Sequence, residues 1–213
     1  MERAEFFDTY RPMAAHLGRM MAISVAVWLA GNCVGQSLSP RPIVSGVPVS
    51  GVRLADMDQD QRPEVLLLRS DGGASVVYLD AEGAVLSESA LTVGQATTLG
   101  IADFDASGAL DLFFGFGGGN PISVFLNDGT GLLESGTQTL TGAEARALGI
   151  GDLDGDGDRD VIVANGLAGP IPNKIWLNNG RALFTSGQEL GFNLTADVEV
   201  ADFDSDGDLD LWF

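Results

Sequence analysis

Four nine-residue acidic segments, starting at Asp56, Asp103, Asp152 and Asp202, recur at intervals of 47, 49 and 50 residues and hold 17 of the chain's 30 acidic side chains. Self-similarity at such a period means that one supersecondary unit is repeated and stacked. Each unit keeps the same order: an apolar strand, the acidic segment, a β-rich run, a glycine-rich turn, another strand, and an Asn-Gly or Asp-Gly turn. In the third unit residues 147–151 (ALGIG) lead into the acidic segment, 161–165 (VIVAN) leave it and 174–178 (KIWLN) form the next strand. Asn179-Gly180 then closes a hairpin onto Leu183-Phe184. The second unit matches with 112–115 (LFFG), 124–127 (VFLN) and an Asp128-Gly129 turn, glycine being the residue that takes positive φ without strain. No repeat shows a 3.6-residue apolar period capped at both ends, so helices are expected to be few or absent.

Four antiparallel strands in nearly 50 residues suit a propeller blade better than a helical solenoid, so the fold class is all-β: a β-propeller of four-stranded blades. The repeats fall near 47–96, 97–144, 145–195 and 196–213, three blades plus the start of a fourth. A ring normally needs about four to eight blades, so the sequence reads as partial and truncated at its C-terminus, with closure by oligomerisation as the alternative. An open end leaves an unpaired strand edge and an apolar blade face, a hazard for aggregation. Hydrophobic content of 45% is enough for a core.

Residues 20–31 (MMAISVAVWLAG) form an apolar stretch too short for a membrane span of about 20 residues but suited to a signal-peptide core. Residues 1–35 therefore read as a signal peptide or N-terminal anchor, and 36–46 as a linker containing Pro40 and Pro42. Arg3, Arg11 and Arg19 are offset by Glu2, Glu5 and Asp8; initiation at Met13 would remove the acidic residues. Cleavage after Gly35 fits, whereas Asn32 before Cys33 makes a poor lipidation signal. The expected location is secreted or cell-surface, with membrane contact only through an uncleaved anchor.

A net charge of -19 disfavours binding to nucleic acid. The only cysteine, Cys33, and the only histidine, His16, lie in the leader, so thiolate zinc sites and histidine catalysis have no residues in the repeats. Residues 115–120 (GFGGGN) lack the Gly-Lys-Ser/Thr of a phosphate loop and read as a hairpin. Asn193-Leu-Thr195 is a chance sequon, and Trp176 and Trp212 are expected to pack between blades.

Carboxylates packed this densely repel one another unless a cation sits among them. Carboxylates at positions 1, 3 and 5, a glycine at 6, a carbonyl at 7 and a carboxylate at 9 can wrap one hard ion in oxygen, and the donor number suits calcium better than magnesium. An EF-hand opens alike but needs Glu at position 12 before a helix, where this chain has Val163 and Phe213 within strand sequences. The pattern D-x-D-x-D-G-x-x-D before an apolar strand, with the turns at 125–129 (FLNDG) and 176–180 (WLNNG), resembles the FG-GAP and VCBS repeats of integrin-α-type propellers and their bacterial relatives, over about residues 47–213.

That resemblance implies calcium in the loop between the first two strands of each blade. In the third loop Asp152, Asp154, Asp156 and Asp160 would supply side chains and Asp158 its carbonyl; in the fourth Asp202, Asp204, Asp206, Asp210 and the carbonyl of Asp208 repeat the set. The second loop offers Asp103, Asp105, Ser107 and Asp111, one charge fewer, and is expected to bind more weakly. The first keeps Asp56, Asp58, Asp60 and Glu64 but has Gln61 in place of glycine and Arg62 beside the site, which reads as degenerate. The implied function is a calcium-binding adhesion or interaction scaffold for an extracellular protein or glycan. The alternatives are the non-catalytic propeller of a larger secreted lyase or hydrolase, or a structural spacer.

Overall fold

The computed structural model describes residues 48–141, 144–166, 171–191 and 194–213. The leader, the linker and Asn193 lie outside the described residues, as do the expectations placed on them. Fourteen strands and no helix are present among the described residues. Three four-stranded antiparallel sheets follow in chain order: β1(Val49–Ala55) to β4(Val85–Leu91), β5(Ala96–Ala102) to β8(Leu133–Ser135), and β9(Ala145–Gly151) to β12(Thr185–Leu190). A two-stranded sheet, β13(Glu199–Ala201) and β14(Asp210–Trp212), begins the fourth repeat. Every sheet is a meander, each strand pairing only with its sequence neighbours.

Second strands carry continuous apolar runs because both of their faces are covered. In β2(Glu64–Arg69), β6(Asp111–Phe116) and β10(Asp160–Asn165) nearly every residue is buried. Alternation then sends neighbouring side chains to opposite interfaces. Phe114 and Phe116 pack with Leu66 and Leu68 of the first repeat, whereas Phe113 packs with Val161 and Val163 of the third. Ile162 and Ala164 turn the other way, toward Val198 and Val200 of the fourth. Fourth strands are outermost, and β4 and β12 (Thr185–Leu190) are largely exposed.

First strands approach one another where the sequence removes side chains. A Cβ on Gly149 of β9 would lie 2.5 Å from a methyl of Val200, and one on Gly100 of β5 would lie 2.9 Å from Ile150 Cδ1. The expected hairpin at 115–120 is present, with Gly118 and Gly119 at φ 69° and 74° between β6 and β7(Ser123–Asn127).

Two local expectations need correction. The turn after β11(Asn173–Leu177) does not close onto Leu183-Phe184; the next strand starts at Thr185. Phe184 instead drops its ring into the interface, edge-on to Phe104 and Phe113 at 5.5 and 5.3 Å between centroids. Its amide donates to Gln138 Oε1 at 2.7 Å, so core packing and a side-chain cap replace the ladder here. Trp176 is buried between sheets as expected, but Trp212, on β14, is 70% exposed and packs its ring near that of Phe203.

Candidate metal centres in the acidic loops

Each acidic segment is the hairpin connection between the first and second strand of its sheet, and position 9 opens the second strand. Glu64, Asp111, Asp160 and Asp210 pair across the ladder with Ala55, Ala102, Gly151 and Ala201, the residues just before position 1. The four loops share one internal bonding pattern. The position-6 amide donates to the position-1 carboxylate at 2.9 Å (Gln61 to Asp56), 2.9 Å (Gly108 to Asp103), 3.0 Å (Gly157 to Asp152) and 3.1 Å (Gly207 to Asp202). Ser107 substitutes at position 5 by accepting from the Ala109 amide at 3.3 Å, as Asp156 accepts from Asp158 at 2.9 Å.

Two residues in every loop are left-handed, not the single glycine anticipated. Position 6 has φ 69° at Gln61, 89° at Gly108, 93° at Gly157 and 101° at Gly207. Position 4 has φ 60° at Gln59, 58° at Ala106, 80° at Gly155 and 64° at Ser205. A left-handed L-residue costs roughly 1–2 kcal/mol, so Gln59, Ala106 and Ser205 hold conformations that the surrounding bonds must stabilise.

Three carboxylates converge in each loop, with oxygens within 4.8 Å of one another: Asp56, Asp58 and Glu64; Asp103, Asp105 and Asp111; Asp152, Asp154 and Asp160; Asp202, Asp204 and Asp206. Positions 1, 3 and 9 meet in the first three loops and positions 1, 3 and 5 in the fourth. Asp60, Ser107, Asp156, Asp158, Asp208 and Asp210 stand outside these triplets. In the first loop Arg62 clasps Asp60 through its guanidinium, which holds the Asp60 carboxyl below its ordinary range. A cation built into the chain thus sits at the edge of this loop.

Position 9 has a second role that the sequence did not signal. Asp160 is fully buried and accepts from the Leu153 amide at 2.8 Å and the Asn178 amide at 2.7 Å. Asp111 does the same with Phe104 at 2.9 Å and Asn127 at 2.8 Å. Burial pushes both carboxyls above the ordinary 3.8, and the neighbouring loop carboxylates add to the rise against the pull of the two amides. Burial likewise raises Glu64, which accepts from Met57 at 2.6 Å. One lone pair on each Asp111 and Asp160 oxygen takes an amide, and a second remains free.

Position 2 is an apolar plug. Met57 and Phe104 are fully buried among side chains of the following sheet and Leu153 is partly buried beside Val198 and Val200, whereas Phe203 in the fourth loop is 55% exposed.

Clustered all-oxygen donors, with the position-9 carboxyls of the first three loops raised by burial and by the charge of their neighbours, fit a hard divalent cation. The model for the FG-GAP-like repeat matches residues 103–163 and again 152–213. The chain belongs to this repeat family. The two matched stretches run from the second acidic loop into the fourth, so the FG-GAP-like match leaves out the first loop, the one with Gln61 and Arg62. No curated protein matches the chain.

Proposed function

We propose that this FG-GAP-like repeat chain is a calcium-stabilised, non-catalytic β-propeller scaffold, secreted or held at the cell surface, which presents loops or sheet faces to an extracellular protein or glycan. The observation that carries the calcium reading is a carboxylate triplet at the same corner of four successive sheets, built from positions 1, 3 and 9 in three of them and from 1, 3 and 5 in the fourth. The cation, when bound, supplies the positive charge that the clustered carboxylates lack. Asp152, Asp154 and Asp160 would hold it in the third loop and Asp103, Asp105 and Asp111 in the second, while the two left-handed residues curl the backbone around the carboxylates. Positions 1 and 3 accept amides of their own loop, whereas position 9 ties its loop to the sheet: in the third repeat it accepts from Leu153 and from Asn178 after β11.

The scaffold part of the proposal is supported by the family match, by an apolar 20–31 segment suited to export, and by acidic clusters whose oxygens lie within 4.8 Å of one another. Binding to the native fold alone adds about 2.7 kcal/mol per site at a hundredfold excess of calcium over Kd. For a chain of this length that is a rise of roughly 5–10 °C in melting temperature.

Melting in EDTA and in millimolar calcium, for the parent chain, Asp152→Ala and Asp202→Ala, tests the metal. The expected result is a large rise in the parent that each substitution reduces; no rise in the parent overturns the calcium reading. Binding of the loaded chain to arrayed glycans and extracellular proteins tests the scaffold role, with loss of signal in EDTA expected and absence of any binding counting against it.

A further inference from the structure

The acidic loops are joined to one another through two buried asparagines. Asn127, at the end of β7, donates its backbone N–H to Asp111 of its own loop at 2.8 Å and its side-chain Nδ2 to the carbonyl of Met57, in the preceding repeat's loop, at 2.7 Å. Asn178, after β11, donates its backbone N–H to Asp160 at 2.7 Å and its Nδ2 to the carbonyl of Phe104 at 2.8 Å. The amides of Met57, Phe104 and Leu153 in turn donate to Glu64, Asp111 and Asp160. One unbroken series of hydrogen bonds therefore runs Glu64, Met57, Asn127, Asp111, Phe104, Asn178, Asp160, Leu153 across three repeats.

Both asparagines are locked in this orientation. Asn127 is 3% and Asn178 5% exposed, and each Oδ1 accepts amides of its own turn: Gly129 at 3.1 Å and Gly131 at 3.2 Å for Asn127, Asn179 at 2.9 Å for Asn178. The first repeat has Asp80 at the corresponding place. The Asp80 carboxylate only caps its own turn, accepting from Glu82 at 3.0 Å and Ala84 at 2.7 Å. The amide-bearing side chains stand at the two places where the acidic loop of the repeat before offers a carbonyl.

We propose that Asn127 and Asn178 are positioning residues that couple neighbouring cation sites, each fixing the position-9 carboxylate of its own loop while anchored on the loop before, so that filling one loop raises the cation affinity of the next. The physical route is short. A cation held by Asp103, Asp105 and Asp111 stills the backbone at Phe104, whose carbonyl then holds Asn178; Asn178 in turn fixes the Asp160 oxygen that must face the next ion. Ordering accomplished at the first site need not be repeated at the second, which is positive coupling. This inference rests on the calcium reading above.

The test is a calcium titration of the full chain followed at the position-6 glycine amides, Gly108, Gly157 and Gly207, as separate reporters of three loops. Asp103→Asn disables the second loop. The expected result is that it weakens half-saturation at Gly157 about fivefold or more, within the usual range of coupling between sites, and that the loss disappears when Asn178→Ala is already present. A structural role alone would lower stability without removing the dependence of one loop on the other. In the unsubstituted chain, hydrogen-exchange protection at the Phe104 and Asn178 amides should rise over the same calcium range, a reading that needs no variant to fold. Loops that fill independently overturn the coupling and leave the calcium reading standing; glycine amides that ignore calcium overturn both.

Discussion

The first and third acidic loops have nearly the same backbone but answer charge repulsion differently. Both bind the position-6 amide to position 1, at 2.9 Å in the first and 3.0 Å in the third, and both clamp the position-2 amide with position 9, at 2.6 and 2.8 Å. The first has Gln61 at φ 69° where the third has Gly157, and its Arg62 clasps Asp60 where the third has only a further carboxylate, Asp158. The carboxylates therefore do two things at once: they cap loop amides, and they bring a set of oxygen donors within 4.8 Å of one another. The first loop brings a compensating positive charge in Arg62, whereas Asp158 at the same position adds a further negative charge to the third.

Removing the clamp should produce the largest effect. Asp160→Ala orphans the amides of Leu153 and Asn178, and each unpaired buried donor costs about 1–3 kcal/mol, so a loss of about 3 kcal/mol is expected in EDTA as well as in calcium. Glu64→Ala orphans the Met57 amide and should cost about half as much in a urea melt. Equal losses at the two positions would erase the difference between the loops.

Backbone strain comes next. No atom lies within 4 Å of a Cβ placed on Gly157, so Gly157→Ala is a test of φ alone and should destabilise by about 1–2 kcal/mol. The converse change, Gln61→Gly, should stabilise the first loop by up to about 1 kcal/mol, reduced by the added freedom of the unfolded chain. Arg62→Ala should change stability little but let the first loop bind one further calcium, read by calorimetric stoichiometry; an unchanged stoichiometry would break the view of Arg62 as the built-in cation.

The smallest effect is that of pH. A carboxyl whose folded pKa is raised contributes stability below its unfolded pKa that is lost as pH rises through the folded value. Asp160 is such a group, so in EDTA the parent should lose stability relative to Asp160→Asn as pH goes from about 4 to 7. A parent that gains on the variant over this range would contradict the burial argument.

The repeat period, the four strands, the absence of helix and the nine-residue loops were legible in the sequence because they rest on local signals: alternating apolar residues, Asp-Gly turns and acidic spacing. Position 4 was not, since only Gly155 advertises a left-handed residue while Gln59, Ala106 and Ser205 are held there by the loop's bonding. The clamp role of Asp111 and Asp160 was hidden because an aspartate that accepts strand amides is spelled like one that binds an ion. Asn127 and Asn178 were read as turn residues, yet their side chains reach 70 and 74 positions back along the chain, a contact only the packing of successive sheets creates. Phe184 was assigned to a strand because hairpin signals surround it; edge-on packing against Phe104 and Phe113 decided otherwise.

The most direct test is the calcium stoichiometry of the full chain by equilibrium dialysis at pH 7. Three ions per chain are expected, in the loops that start at Asp103, Asp152 and Asp202, falling to two with Asp152→Ala. No bound calcium at millimolar concentration would contradict it, leaving the acidic loops as hydrogen-bonded turns that cap their own amides.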